Sequence, residues 1–90
     1  MSGTFSIDHK PTIILFDSGA THSFISDKFG ARLGLDSNPT KTPYLITTPG
    51  GKISSNQILR RVPIQLGSKL IKTDLISLNL EGLDVILGMD

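Results

Sequence analysis

The sequence predicts a mostly β domain, a small closed β structure with one short helix and one glycine-tipped hairpin. Three observations carry this reading. Short β-branched and apolar runs recur along the chain at close spacing. Clusters of turn formers separate them, at Asp8-His9-Lys10-Pro11, Pro49-Gly50-Gly51, Gly67-Ser68 and Glu81-Gly82. Only the stretch opening at Ser26 has the cap and the spacing of a helix.

Taken in order, residues 4–7 alternate and read as a short strand, and residues 12–16 form a compact apolar run that reads as a buried strand. The two are expected to make a hairpin leading into Asp17. Asp17-Ser18-Gly19 then breaks the run. Ser26 is placed to cap a helix, with Asp27 favourable in its first turn. Phe29 and Leu33 share a helical face, Gly30 weakens the helix, and Gly34 is a stop signal. Residues 36–42 are polar with one proline and read as a loop. Residues 43–48 are strand-like. A long strand pattern over 53–66 is interrupted at Pro63. Gly67-Ser68 is a two-residue hairpin signal. Residues 70–80 are strand-like again, and 84–87 form a last apolar strand ended by Gly88.

Ninety residues suit a single domain, here 1–90. A core this small is marginal, and without cysteine neither disulfides nor a thiolate metal site can supplement it. A protein partner could, so oligomerisation is expected. The absence of cysteine also fits a reducing compartment. A net charge of +1 argues against nucleic acid as the partner of this domain, and Arg60-Arg61 is a poor phosphate track. No apolar run approaches the ~20 residues of a membrane span, and no signal peptide is expected. Met1-Ser2-Gly3 reads as an added start. The sequence stops at Asp90, straight after an apolar segment, and this reads as a cut.

Three stretches stand out as carriers of chemistry. In Ile13-Ile14-Leu15-Phe16-Asp17-Ser18-Gly19-Ala20 an acidic residue directly follows an apolar strand, a costly place unless it is hydrogen-bonded or functional. Thr47-Thr48-Pro49-Gly50-Gly51-Lys52-Ile53 is a glycine-tipped hairpin, suited to a mobile lid. Asp84-Val85-Ile86-Leu87-Gly88 ends in an apolar-apolar-Gly step. Each alone reads first as ordinary structure: a strand-ending turn, a surface hairpin, a piece of core.

In this order the three stretches resemble the retropepsin family of aspartic proteases. Residues Phe16-Asp17-Ser18-Gly19-Ala20-Thr21-His22-Ser23-Phe24-Ile25-Ser26 are similar to the active-site stretch of proteases from gypsy-type long-terminal-repeat retrotransposons. The Phe24-Ile25-Ser26 continuation is similar to plant elements. Asp84-Val85-Ile86-Leu87-Gly88-Met89-Asp90 resembles the family's closing motif, and the likeness spans nearly the whole chain.

The resemblance implies the small barrel-like retropepsin fold, with Asp17 as the catalytic carboxylate and Ser18 making an inter-subunit hydroxyl contact. Gly19 and Ala20 complete the loop and meet the substrate backbone. Pro49, Gly50 and Gly51 form the flap tip, and Ile86, Leu87 and Gly88 pack behind the loop. It further implies a helix and a strand beyond the last motif, and a cytoplasmic, virus-like-particle setting.

One Asp-Ser-Gly per chain is too few for the chemistry, because peptide hydrolysis needs one group to take a proton and another to give one. A homodimer would bring two copies of Asp17 together, sharing one proton. An extended peptide or polyprotein segment would bind as an added strand under the flap, with no cofactor and no metal. The rival reading is a non-catalytic retropepsin-fold module for dimerisation or peptide binding, which has no need of Asp17-Ser18-Gly19-Ala20. A ubiquitin-linked cellular protease is a third reading, but no ubiquitin-like segment is present. His9 and His22 lack neighbours at ligand spacing, so a two-His metal site is not expected, and His22 reads as a loop residue near the active site. Ser18, Ser23 and Ser26 have no nearby base arrangement for a triad. Asp8, Asp74 and Asp84 read as solvated turn or strand-end residues, and Lys52 as an exposed flap charge.

Overall fold

β-branched and aliphatic residues dominate the pairing segments, and the computed structural model, which describes residues 5–48 and 51–88, arranges them as eight strands and one helix. The strands are β1 (Phe5–Ile7), β2 (Lys10–Pro11), β3 (Ile14–Asp17), β4 (Phe24–Ser26), β5 (Asn38–Thr48), β6 (Gly51–Leu66), β7 (Lys69–Leu78) and β8 (Val85–Gly88). The helix α1 (Asp27–Leu33) lies between β4 and β5. The order in the sheet is β2-β1-β6-β7-β4-β8-β3, with β5 paired to the far part of β6. The mostly β class with one short helix is as the sequence predicts. The ladder is open rather than closed, with β2 and β3 at its two ends.

Asp8 and His9 turn the chain with φ of 52° and 65°, so β1 pairs with β2 and not with the segment leading into Asp17. The hairpin expected of residues 4–7 and 12–16 is therefore a shorter one, and β3 pairs instead with β8, in parallel. Burial of residues 12–16 is also corrected. Thr12 is buried, but Ile13, Leu15 and Phe16 are 62%, 47% and 41% exposed, because β3 is the sheet's edge.

The helix forms as its caps dictate. The Ser26 hydroxyl accepts the Phe29 amide at 3.4 Å, and Gly34 closes the last turn at φ 69°. Phe29, Gly30 and Leu33 face inward, with Gly30 against Leu59. Packing of that face offsets the weak intrinsic propensity.

Residues 36–42 are not a loop throughout: β5 starts at Asn38, with an irregularity in pairing between Pro39 and Tyr44. Nor does Pro63 interrupt β6. Pairing with β5 ends at Ile58 and pairing with β1 starts at Gln65, so Pro63 has a strand on one side only, where a missing amide costs no ladder bond.

The 16 residues of β6 would span roughly 50 Å if straight. The molecule's longest extent is 34 Å, so the strand bends. The bend is a bulge between Leu59 and Val62, with Arg61 at φ 54°. Asp74 of β7 secures it: Oδ1 accepts the Arg61 amide at 2.8 Å, and Oδ2 lies 3.7 Å from the Arg60 guanidinium. Asp74 is thus a staple rather than a merely solvated residue.

The core falls in two parts. Ile7, Ile25, Ile64, Leu75 and Val85 are fully buried in the larger, each contributing about 1.5–3 kcal/mol. The smaller gathers Phe24, Ile58, Ile76 and Leu78.

Candidate active site

The site is built where β3 and β4 flank β8. β3 runs parallel to β8 and β4 antiparallel to it, so the connection over residues 18–23 crosses the C-terminal end of β8. Gly88 lies at that end, opposite Asp17 in the ladder. A Cβ on Gly88 would fall 2.6 Å from the Ala20 carbonyl oxygen and 2.7 Å from that of His22. Only glycine lets the loop lie this close. The Gly88 amide donates to Ser23 Oγ at 3.1 Å, and the Ile76 amide donates to the Ser23 carbonyl at 2.9 Å, which ties the loop to both β8 and β7.

Asp84 anchors the other end of this unit. Its Oδ2 accepts the Ile13 amide at 2.9 Å, its backbone pairs with Ile13 and Ser26, and its Oδ1 lies 3.8 Å from Arg32 of α1. Its side chain is 17% exposed, so the expectation of a solvated residue is corrected. The start of β3, the helix cap and β8 all converge on it.

Asp17 is the last residue of β3 and is exposed. Its Oδ1 accepts the Gly19 amide at 2.9 Å, an Asx-type turn that fixes the carboxylate and leaves Oδ2 for other partners. The Ser18 hydroxyl is exposed and has no hydrogen-bond partner among the described residues. A Cβ on Gly19 would make only ordinary contact with Asp17 Oδ1, at 3.5 Å, so the chain's own packing does not demand glycine there.

Asp17, Gly19 and Ala20 open onto a cavity of about 370 Å³. It is lined also by the β5–β6 hairpin, through Leu45, Ile46, Thr47 and Ile53, and by Phe24, Leu78 and Ile86. The Asp17 loop and the β5–β6 hairpin thus line one largely apolar cavity. Thr48 pairs with Gly51, whose φ is 126°. Pro49 and Gly50 lie outside the described residues, so the tip there is known only as sequence.

A family model described as retroviral aspartyl protease matches residues 1–90. The chain belongs to this retropepsin-like family. It is a family of aspartic proteases, which makes hydrolase the coarse functional class. A search of curated proteins gave no match.

The structure places the sequence-predicted residues differently. Asp17, Gly19, Ala20 and Ile86 line one cavity, together with His22. Leu87 turns the other way, into the larger core, and Gly88 supports the loop from below. Sequence reasoning missed the cavity's apolar lining, such as Ile46, Ile53 and Leu80. Half of that signal was available: Tyr44 and Ile46 alternate with exposed neighbours, the pattern of an arm with one inward face. It also missed β4 and the tether at Ser23, which only the crossing of β8 reveals.

Proposed function

We propose that the chain is one half of a homodimeric aspartic endopeptidase in which Asp17 from each subunit activates water for peptide-bond hydrolysis. The observation that carries this is a single one: an exposed, turn-fixed Asp17 carboxylate lines an apolar cavity together with the β5–β6 hairpin. A single chain supplies one such carboxylate. Two copies face to face share one proton, so one acts as base toward water while the other donates to the substrate. Ser18, whose hydroxyl has no hydrogen-bond partner among the described residues, is suited to contact the second copy. The exposed edge of β3 also favours a partner.

The hairpin acts as a flap with Pro49, Gly50 and Gly51 at its tip, closing over an extended peptide and excluding water. The peptide adds as a strand, and its side chains alternate into the cavity. By the likeness of Phe16 through Ser26, the substrate is the polyprotein of a gypsy-type, plant-like retrotransposon, and the setting is the cytoplasm and its virus-like particles.

The test is cleavage of a peptide library at mildly acidic pH by wild type and Asp17→Asn, each checked by circular dichroism. Cleavage by wild type alone, with equal folding, is expected. Equal activity in both would remove Asp17 from the mechanism.

A further inference from the structure

A second cavity, of about 450 Å³, adjoins the first and shares Thr21 and His22 with it. The wall between them carries an edge-to-face pair, His22 against Tyr44, with ring centroids 5.2 Å apart. Ile58 and Ile76 give the second cavity an apolar patch, while Thr73 and Lys72 bring a hydroxyl and a cation. The cavity is mostly polar, unlike its neighbour. Asp74 also borders it, but both its oxygens are engaged, with the Arg61 amide and the Arg60 guanidinium. Lys72 has no ion-pair partner among the described residues. The charge left unanswered in this cavity is therefore positive.

We propose that this second cavity is a specificity subsite for an acidic side chain of the peptide substrate, with Lys72 as its charge partner. The inference rests on the peptidase reading above, because an extended peptide lying along the first cavity would continue toward the shared Thr21–His22 wall. Successive same-face side chains of a strand are roughly 6–7 Å apart, so a neighbouring side chain reaches an adjoining pocket without a bend in the backbone. Ile58, Ile76 and Tyr44 suit the methylene stem of a glutamate, and Lys72 and the hydroxyls suit its carboxylate. A basic side chain would meet Lys72 unfavourably.

The test uses internally quenched peptides identical except at one flanking position, scanned in turn, carrying Glu, its isostere Gln, or Lys. At one such position kcat/KM for the Glu peptide should exceed that for Gln about three- to fivefold, the scale of a solvent-accessible ion pair. Lys72→Met should bring that ratio to about one, and Lys72→Glu should invert it in favour of the Lys peptide. Lys72 is exposed on β7, so these changes spare the core. Equal rates for Glu and Gln at every position, or a Glu preference that survives Lys72→Met, overturns the subsite. Should the protein cleave none of the peptides, fluorescence anisotropy with the same set separates the two readings. Tighter binding of Glu than Gln, lost in Lys72→Met, would then uphold the subsite and sink the peptidase. Equal binding, or none, would overturn the subsite.

Discussion

At Gly88 the backbone of the 18–23 loop comes so close that an added methyl would meet the Ala20 and His22 carbonyl oxygens at 2.6 and 2.7 Å. These are backbone atoms and cannot rotate away, so the loop itself must move. Gly88→Ala is expected to cost roughly 1–3 kcal/mol and to displace Asp17's loop. Thermal unfolding would show a lower Tm, and peptidase activity would fall further than stability alone explains. An unchanged Tm would mean that the loop has slack the packing does not indicate. Gly19 is the contrasting residue: within one chain a methyl there makes only ordinary contact. Asp17 was singled out in the sequence by the order of the three stretches and their family likeness, because an Asp-Ser-Gly turn alone reads as ordinary structure. Its exposure was not legible, since it depends on β3 being the edge of the sheet.

Among the elements, β6 is the one that reaches both the core and the hairpin, and its bend depends on Asp74. Asp74→Ala leaves the left-handed Arg61 without its amide partner. We expect a loss of about 1–2 kcal/mol, read as a lower midpoint in urea unfolding. A midpoint equal to wild type would show that the bulge holds without the staple. The projecting part of β6 makes a different prediction. Residues 51–54 are exposed, and Gly51 has a φ of 126° that L side chains rarely adopt. Gly51→Val should therefore strain the hairpin while leaving the core intact, lowering turnover by more than it lowers Tm. Equal proportional loss of both would argue that the hairpin is part of the folding unit and not a lid.

For the molecule as a whole, the exposed apolar edge formed by Ile13, Leu15 and Phe16 lies directly before Asp17. A domain this size has little stability to spare, and apolar surface left in water forgoes roughly 25 cal/mol per Å². If each subunit supplies half the carboxylate pair, specific activity must fall on dilution below the dimer dissociation constant. Sedimentation and activity measured over the same concentration series decide this. Constant activity per chain where only monomer sediments would refute the half-site mechanism.

By itself the sequence determined the local features: the Ser26 cap and Gly34 stop of α1, the Gly67-Ser68 turn, the strand class, and the Asp17-Ser18-Gly19-Ala20 stretch with its family likeness. Each rests on neighbours within a few residues, where propensity and capping act. What only the tertiary structure decided are the pairings of distant segments. β3 joins β8 across some seventy residues of chain and so becomes an edge, exposing a run that reads as buried. β6 passes through Pro63 because its other side is empty there, and bends because Asp74 on β7 can hold Arg61. Asp84, read locally as a strand-end residue, becomes an anchor because Ile13 and Arg32 come to it from elsewhere. Whether an apolar run is covered, or a carboxylate paired, depends on which strand lies beside it, and local preference carries no information about that.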